Sequence, residues 1–149
     1  MTLADEITRI RSIFIDTAPI IYYIEAHPQF GPLSKEVVDT FQSRALKAFT
    51  SVITLVEVLP KPIETGQEWL AKRFADFLRY AKGLTLMEIS SDTAEVAGKL
   101  RGHYPSLRTT DAIQLGVAIK AGADAFLTND AKLKQIKEIR VLILKDYLL

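Results

Sequence analysis

The sequence predicts an α/β domain with a parallel central sheet of about five strands and helices on both faces. Three observations point there. Short apolar runs alternate with helix-period stretches along the whole chain. Those runs are continuous rather than alternating, as in strands buried on both faces of a parallel sheet. The 149 residues match one ordinary domain, and a chain of that size buries about 68–70% of its unfolded surface. No internal repeat or low-complexity linker divides the chain.

The elements follow in order. Ser12 to Asp16 is the first strand, ended by Asp16. Asp16 or Thr17 then caps a helix that runs past Tyr22 and Ile24 to the turn at His27-Pro28. Gly31-Pro32 opens a second helix to about Arg44. Leu46 to Thr50 is the second strand, and Ser51 caps a helix that carries Glu57 and stops near Pro60 and Pro62. Thr65-x-x-Glu68 reads as a capping box. Behind it Leu70, Phe74, Phe77, Leu78 and Ala81 form an amphipathic stripe, closed by Gly83. Leu84 to Ile89 is the third strand, and Asp92-x-x-Glu95 opens a helix to about Arg101. Thr109 or Thr110 caps a helix through Ala121 that is apolar nearly all round and hence central, with Gly122 as its stop. Ala125 to Thr128 and Val141 to Leu144 are the last strands.

Composition narrows the chemistry. Hydrophobic residues make up 48% and charged residues 25%, a globular balance. Cysteine is absent, which removes disulfides, thiol nucleophiles and Cys-ligated zinc. His27 and His103 lie too far apart for a paired-histidine zinc motif. The formal charge of +1 is far below that of proteins that hold nucleic acid by bulk charge, so any such binding needs a local patch or bound cations. The best apolar stretch, Ile13 to Ile24, is short and interrupted by Asp16. Met1 to Ser12 lacks the apolar core of a signal peptide, and the cytoplasm is the expected location. Phosphate-binding glycine loops and the Gly-x-Ser-x-Gly elbow are missing.

Ligands of open parallel sheets bind outside the carboxyl ends of the strands. Asp16 ends the first strand and Asp130 follows the fourth, so both belong to one sheet edge. Glu57 and Asp111 lie in apolar helical surroundings. Each acid also has a purely structural reading. Asp16 and Asp130 can cap the helices after them, and Asp111 suits the first turn of its helix. Glu57 is harder to place that way, because only Lys61 stands at helical pairing distance. Four carboxylates at one edge repel one another, and hard divalent cations such as Mg²⁺ or Mn²⁺ relieve that repulsion. Such a site suits phosphoryl hydrolysis.

The motifs in order are Phe14-Ile-Asp16-Thr17, Thr50 to Val58 with Thr54 and Glu57, Thr110-Asp111-Ala112-Ile113-Gln-Leu115, and Thr128-Asn129-Asp130 with Leu133. In these the chain resembles the PIN domain, and within it the VapC-like toxins of toxin–antitoxin pairs. The resemblance runs from Ser12 to the C-terminus, leaving residues 1–11 as an extension of a single domain, residues 1–149. It implies a three-layer α/β/α fold and metal-dependent cleavage of single-stranded RNA, leaving 5′-phosphate and 3′-hydroxyl ends. It also implies an Mg²⁺ (or Mn²⁺) site in which Asp16 and Asp111 are the direct ligands. Glu57 and Asp130 would hold metal-bound water or a second ion. Thr128 would orient the site, with Thr17 a weaker candidate. An antitoxin and a homodimer are the partners it implies.

Two other functions compete. A PIN-like regulatory module would bind RNA or protein with little or no turnover. A phosphoaspartate phosphatase is disfavoured, because Asp16-Thr-Ala-Pro lacks the second acid two residues on. Among the remaining residues, Trp69 is expected in the core, and His27 and His103 at turns or the surface. Arg108 can pair with an acid or contact phosphate, and Lys132, Lys134 and Lys137 can form a basic rim or a solvated face.

Overall fold

A computed structural model describes residues 1–149. The five apolar runs form one sheet: β1 (Ser12–Ile15), β2 (Lys47–Ser51), β3 (Leu84–Met87), β4 (Ala125–Thr128) and β5 (Arg140–Ile143). All neighbours are parallel, in the order β3-β2-β1-β4-β5. Eight helices connect them: α1 (Leu3–Thr8), α2 (Thr17–Ile24), α3 (Gly31–Gln42), α4 (Val52–Val58), α5 (Pro60–Glu64), α6 (Glu68–Tyr80), α7 (Ser91–His103) and α8 (Thr109–Lys120). Short 3₁₀ turns at Ala131–Gln135 and Leu144–Tyr147 flank β5.

Side chains alternate across the pleat, so each strand feeds two cores. Phe14 lies opposite Phe49 and Phe126 in the register. These three face α7 and α8, with the Phe14 and Phe126 rings stacked 5.3 Å apart. Ile13, Ile15, Ala48 and Leu127 point the other way, into a larger core with α1, α2, α3 and α6. This is the expected three-layer α/β/α arrangement.

The N-terminal extension, residues 1–11, holds α1, which is closed by a Thr2–Asp5 capping box and buries Leu3 and Ile7. Several expectations are corrected. The chain does not stop being helical at Pro60. Leu59 ends α4 and starts α5, with Pro60 in the first turn, where no N–H donor is needed. Thr65 is not the cap of α6. Its hydroxyl donates back to the Lys61 carbonyl at 2.9 Å, and Gly66, at φ 73°, turns the chain before α6 begins. Ser90 rather than Asp92 sets the start of α7, accepting from the Thr93 amide at 3.1 Å. Arg108 occupies the cap position of α8, with Thr109 already helical. Trp69 is 66% exposed. The buried stripe of α6 is Leu70, Ala71, Phe74 and Leu78, and Trp69 sits one residue out of phase with it.

Candidate active site at the carboxyl edge of the sheet

The chain reverses its direction of growth across the sheet between β1 and β4. Such a switch point leaves a crevice at the carboxyl ends of the strands, because the two connecting helices depart to opposite faces. Asp16 and Thr128 stand there side by side. The Asp16 amide donates to the Leu127 carbonyl at 2.9 Å, and the Thr128 hydroxyl donates to Asp16 Oδ2 at 2.8 Å. Asp16 Oδ1 accepts from the Thr17 amide at 2.9 Å, so the same carboxylate caps α2. The capping and site readings of Asp16 therefore hold together.

The other acids reach this cleft from separate elements. Glu57 projects from α4 into solvent, which resolves its place in an apolar stretch, and accepts from the Thr17 hydroxyl at 2.7 Å. Asp111, buried in the first turn of α8, is gripped by Arg108 through Nε at 3.0 Å. Asp130 accepts from the Lys132 amide at 3.0 Å and caps the following 3₁₀ turn. All four line one cleft of about 260 Å³, together with Thr17, Tyr22, Arg108, Thr128 and Asn129. An adjoining hollow of about 500 Å³ runs from Asp111 and Asp130 past Lys132 to Ser106.

Burial pushes the Asp16 carboxyl up to about 6. Hydrogen bonds from Thr17 and Thr128 oppose the rise, while the charges of Asp111 and Glu57 add to it. The site thus holds an excess of negative charge. No three acidic or histidine side chains come together as a ready-made set for holding a metal ion. Mg²⁺ does not need one: it binds through one or two carboxylates and keeps several waters. A buried oxygen ligand destabilised by neighbouring acids is the donor set such an ion fits.

The family comparison decides what the cleft belongs to. The PIN domain profile matches residues 13–139. The chain belongs to the PIN domain family.

Solved structures give the same PIN fold. A toxin–antitoxin complex from Klebsiella pneumoniae aligns with TM-score 0.68 at 23% identity, covering 89% of this chain and 97% of that one. VapBC2 from Rickettsia felis, bound to a promoter DNA fragment, aligns with TM-score 0.68 at 18% identity, covering 89% and 98%. VapC20 from Mycobacterium tuberculosis, described as a sarcin-ricin loop cleaving toxin, aligns with TM-score 0.66 at 19% identity, covering 86% and 98%. No curated protein matches by sequence.

The sequence reading missed Gln114. This fully buried side chain donates to Thr54 Oγ1 at 2.9 Å and, at 3.4 Å, to Asp16 Oδ1. It also accepts from the Ser51 hydroxyl. Thr54 in turn shares a hydrogen bond with Thr50, which donates to the Ile15 carbonyl. This buried polar network underpins the PIN cleft. Its one visible signal was a glutamine inside an otherwise apolar helix. Gln114→Leu takes the acceptor from the buried Ser51 hydroxyl, while Thr54 keeps Thr50, and is expected to cost about 1–3 kcal/mol. Urea denaturation of the two proteins checks this, and an unchanged midpoint would refute the network's role.

Proposed function

We propose that this PIN domain is a metal-dependent endoribonuclease that hydrolyses single-stranded RNA, and that it is the toxin of a toxin–antitoxin pair. One observation carries the reading. Asp16 is buried at the switch point of a PIN fold, with Glu57, Asp111 and Asp130 lining the same cleft. The likeness to a toxin named for cleaving the sarcin-ricin loop supports RNA as the substrate class. The likeness to toxin–antitoxin complexes supports an antitoxin partner. A homodimer and a cytoplasmic location belong to the same reading, and no helix is long and apolar enough to cross a membrane.

In this reading Asp16 and Asp111 hold Mg²⁺ or Mn²⁺. The ion supplies Lewis acidity toward phosphate oxygens and offsets the charge of the transition state. Thr128 and Gln114 fix the rotamer of Asp16. Glu57, open to solvent and steered by Thr17, takes the proton of the attacking water. Water oxygen bonds to phosphorus as the bond to the 3′ oxygen breaks. That oxygen leaves as a hydroxyl after protonation from solvent, and the phosphate stays on the 5′ side. Asp130, with Lys132 beside it, completes the rim.

The Arg108–Asp111 ion pair favours the second reading, a regulatory module, because a guanidinium already neutralises one proposed ligand. A cleavage time course on a pool of structured and unstructured RNAs, with Mg²⁺, Mn²⁺ or EDTA, separates the two. Cleavage confined to the metal lanes is the expected result. Folded protein that binds Mn²⁺ but cuts no RNA in any lane would replace the nuclease with the module.

A further inference from the structure

In a parallel α/β sheet the segments that enter the strands gather at the edge opposite the active cleft. Here those segments are markedly basic. Arg9 and Arg11 precede β1, Arg44 precedes β2, Lys47 opens it, Lys82 precedes β3, and Lys120 ends the helix before β4. All six are exposed and none forms an ion pair. Two acids lie in the segments that enter the five strands: Asp124, whose carboxylate is turned to the Arg11 and Ser12 amides, and Glu138 before β5, which accepts from the Tyr104 hydroxyl. The near-neutral total therefore hides a concentration of unpaired basic side chains at the amino edge.

At the β2–β3 side of this basic edge lies a hollow of about 420 Å³ lined by Arg44, Lys47 and Gly83. Its floor is pinned. A Cβ at Gly83 would come within 2.1 Å of the Phe41 carbonyl oxygen, so β3 enters hard against the end of α3. Lys47 lies along the sheet with its ammonium 5.3 Å from the Phe49 ring.

Helix C-termini also end at this edge, and their dipoles favour a cation. Arg44 carries a second feature. It stands at φ 67°, a left-handed turn after α3 in which glycine is the low-strain residue. An arginine held there keeps its charge at the expense of backbone strain, as functional positions do.

We propose that this basic edge is a second RNA-binding surface, engaging the phosphates of a substrate strand beyond the segment held in the cleft. It rests on the reading of RNA as substrate and deepens it. The strands are about 15 Å long at about 3.3 Å per residue. A bound RNA thus reaches from one edge to the other round β3, the edge strand. Contacts of this kind read the backbone and not the bases. They give length dependence and affinity rather than sequence choice.

The test compares wild type with an Arg44→Gly, Lys47→Gln, Lys82→Gln triple variant of the full chain, in EDTA so that nothing is cut. Fluorescence anisotropy follows a labelled mixed-sequence single-stranded RNA of about 30 nucleotides, with an acidic polypeptide as the alternative probe. The expected result is roughly tenfold or more weaker RNA binding by the variant, and a salt slope shallower by about 2, as for three lost phosphate contacts. Arg44→Gly alone should weaken RNA binding while leaving the melting temperature equal or higher, the opposite of a purely structural role. Equal RNA affinity of wild type and triple variant overturns the proposal. So does binding of the acidic polypeptide in place of RNA, which assigns the edge to an acidic protein. Wild type that cuts RNA with Mg²⁺ yet does not bind this RNA in EDTA overturns this surface and leaves the nuclease standing. Neither binding nor cleavage overturns both.

Discussion

Asp16→Asn is expected to lower metal-dependent RNA cleavage by about 10³-fold or more, since a metal ligand supplies several kcal/mol of transition-state stabilisation. The same change is expected to stabilise the metal-free protein at neutral pH. The Asp16 carboxyl titrates near 6 in the folded state because it is buried, against 3.8 for an unperturbed aspartate. Between those values the folded state binds the extra proton, so stability falls as pH rises through that window. Above it the wild type has lost on the order of 1–3 kcal/mol that the asparagine variant does not lose. Asparagine still accepts from the Thr17 amide and caps α2 as well as aspartate does. Urea denaturation in EDTA should give equal midpoints near pH 4 and a higher midpoint for the variant at pH 7. Added Mg²⁺ should then raise the wild type selectively, because a ligand stabilises only the state that binds it. A variant that cuts RNA like wild type, or gains no stability at pH 7, would remove Asp16 from the centre of the site.

Asp16 is readable in the sequence from topology alone. A strand of a parallel sheet ends at the functional edge, so the first polar residue after Ile13-Phe-Ile is placed by topology before any contact is known. Asp130 is readable for the same reason. Glu57 and Asp111 were readable as acids in apolar company, although solvent exposure explains the first and Arg108 the second. Gln114 was not readable as a site residue. Helical periodicity says that it faces inward, but not that Asp16, Thr54 and Ser51 wait on the other side. Trp69 fails at a finer level. A shift of one residue is 100° on a helix, so a neighbour of the buried stripe can face solvent. The N-terminal helix fails at a coarser one. Its six residues are too few to announce themselves by period, and their helicity comes from packing rather than propensity.

Deleting residues 1–9 is accordingly expected to cost about 5 kcal/mol, because each fully buried aliphatic side chain contributes about 2–4 kcal/mol through burial and the cavity that it would leave. Leu3 and Ile7 belong to the same core cluster as Val37, Val38 and Phe41 of α3, and as Leu144 after β5. Their removal uncovers apolar surface on all of these at once. It also strips Arg140, in β5, of its partner Glu6, which is itself buried. Five kcal/mol is comparable to the whole stability of a marginal domain, about 5–15 kcal/mol. Truncation should therefore unfold much of the population or shift the urea midpoint by about 2.5 M at an m-value of about 2 kcal/mol/M. Leu3→Ala and Ile7→Ala should each reproduce a large part of the loss. The cleft lies at the opposite ends of β1 and β4 and shares no side chain with α1. Whatever fraction of the truncated protein stays folded should thus keep its metal response. An unchanged midpoint would make α1 a passenger on a core that closes without it. A lowered midpoint with the metal response intact would make it a structural part of the domain, separate from the chemistry at the other edge.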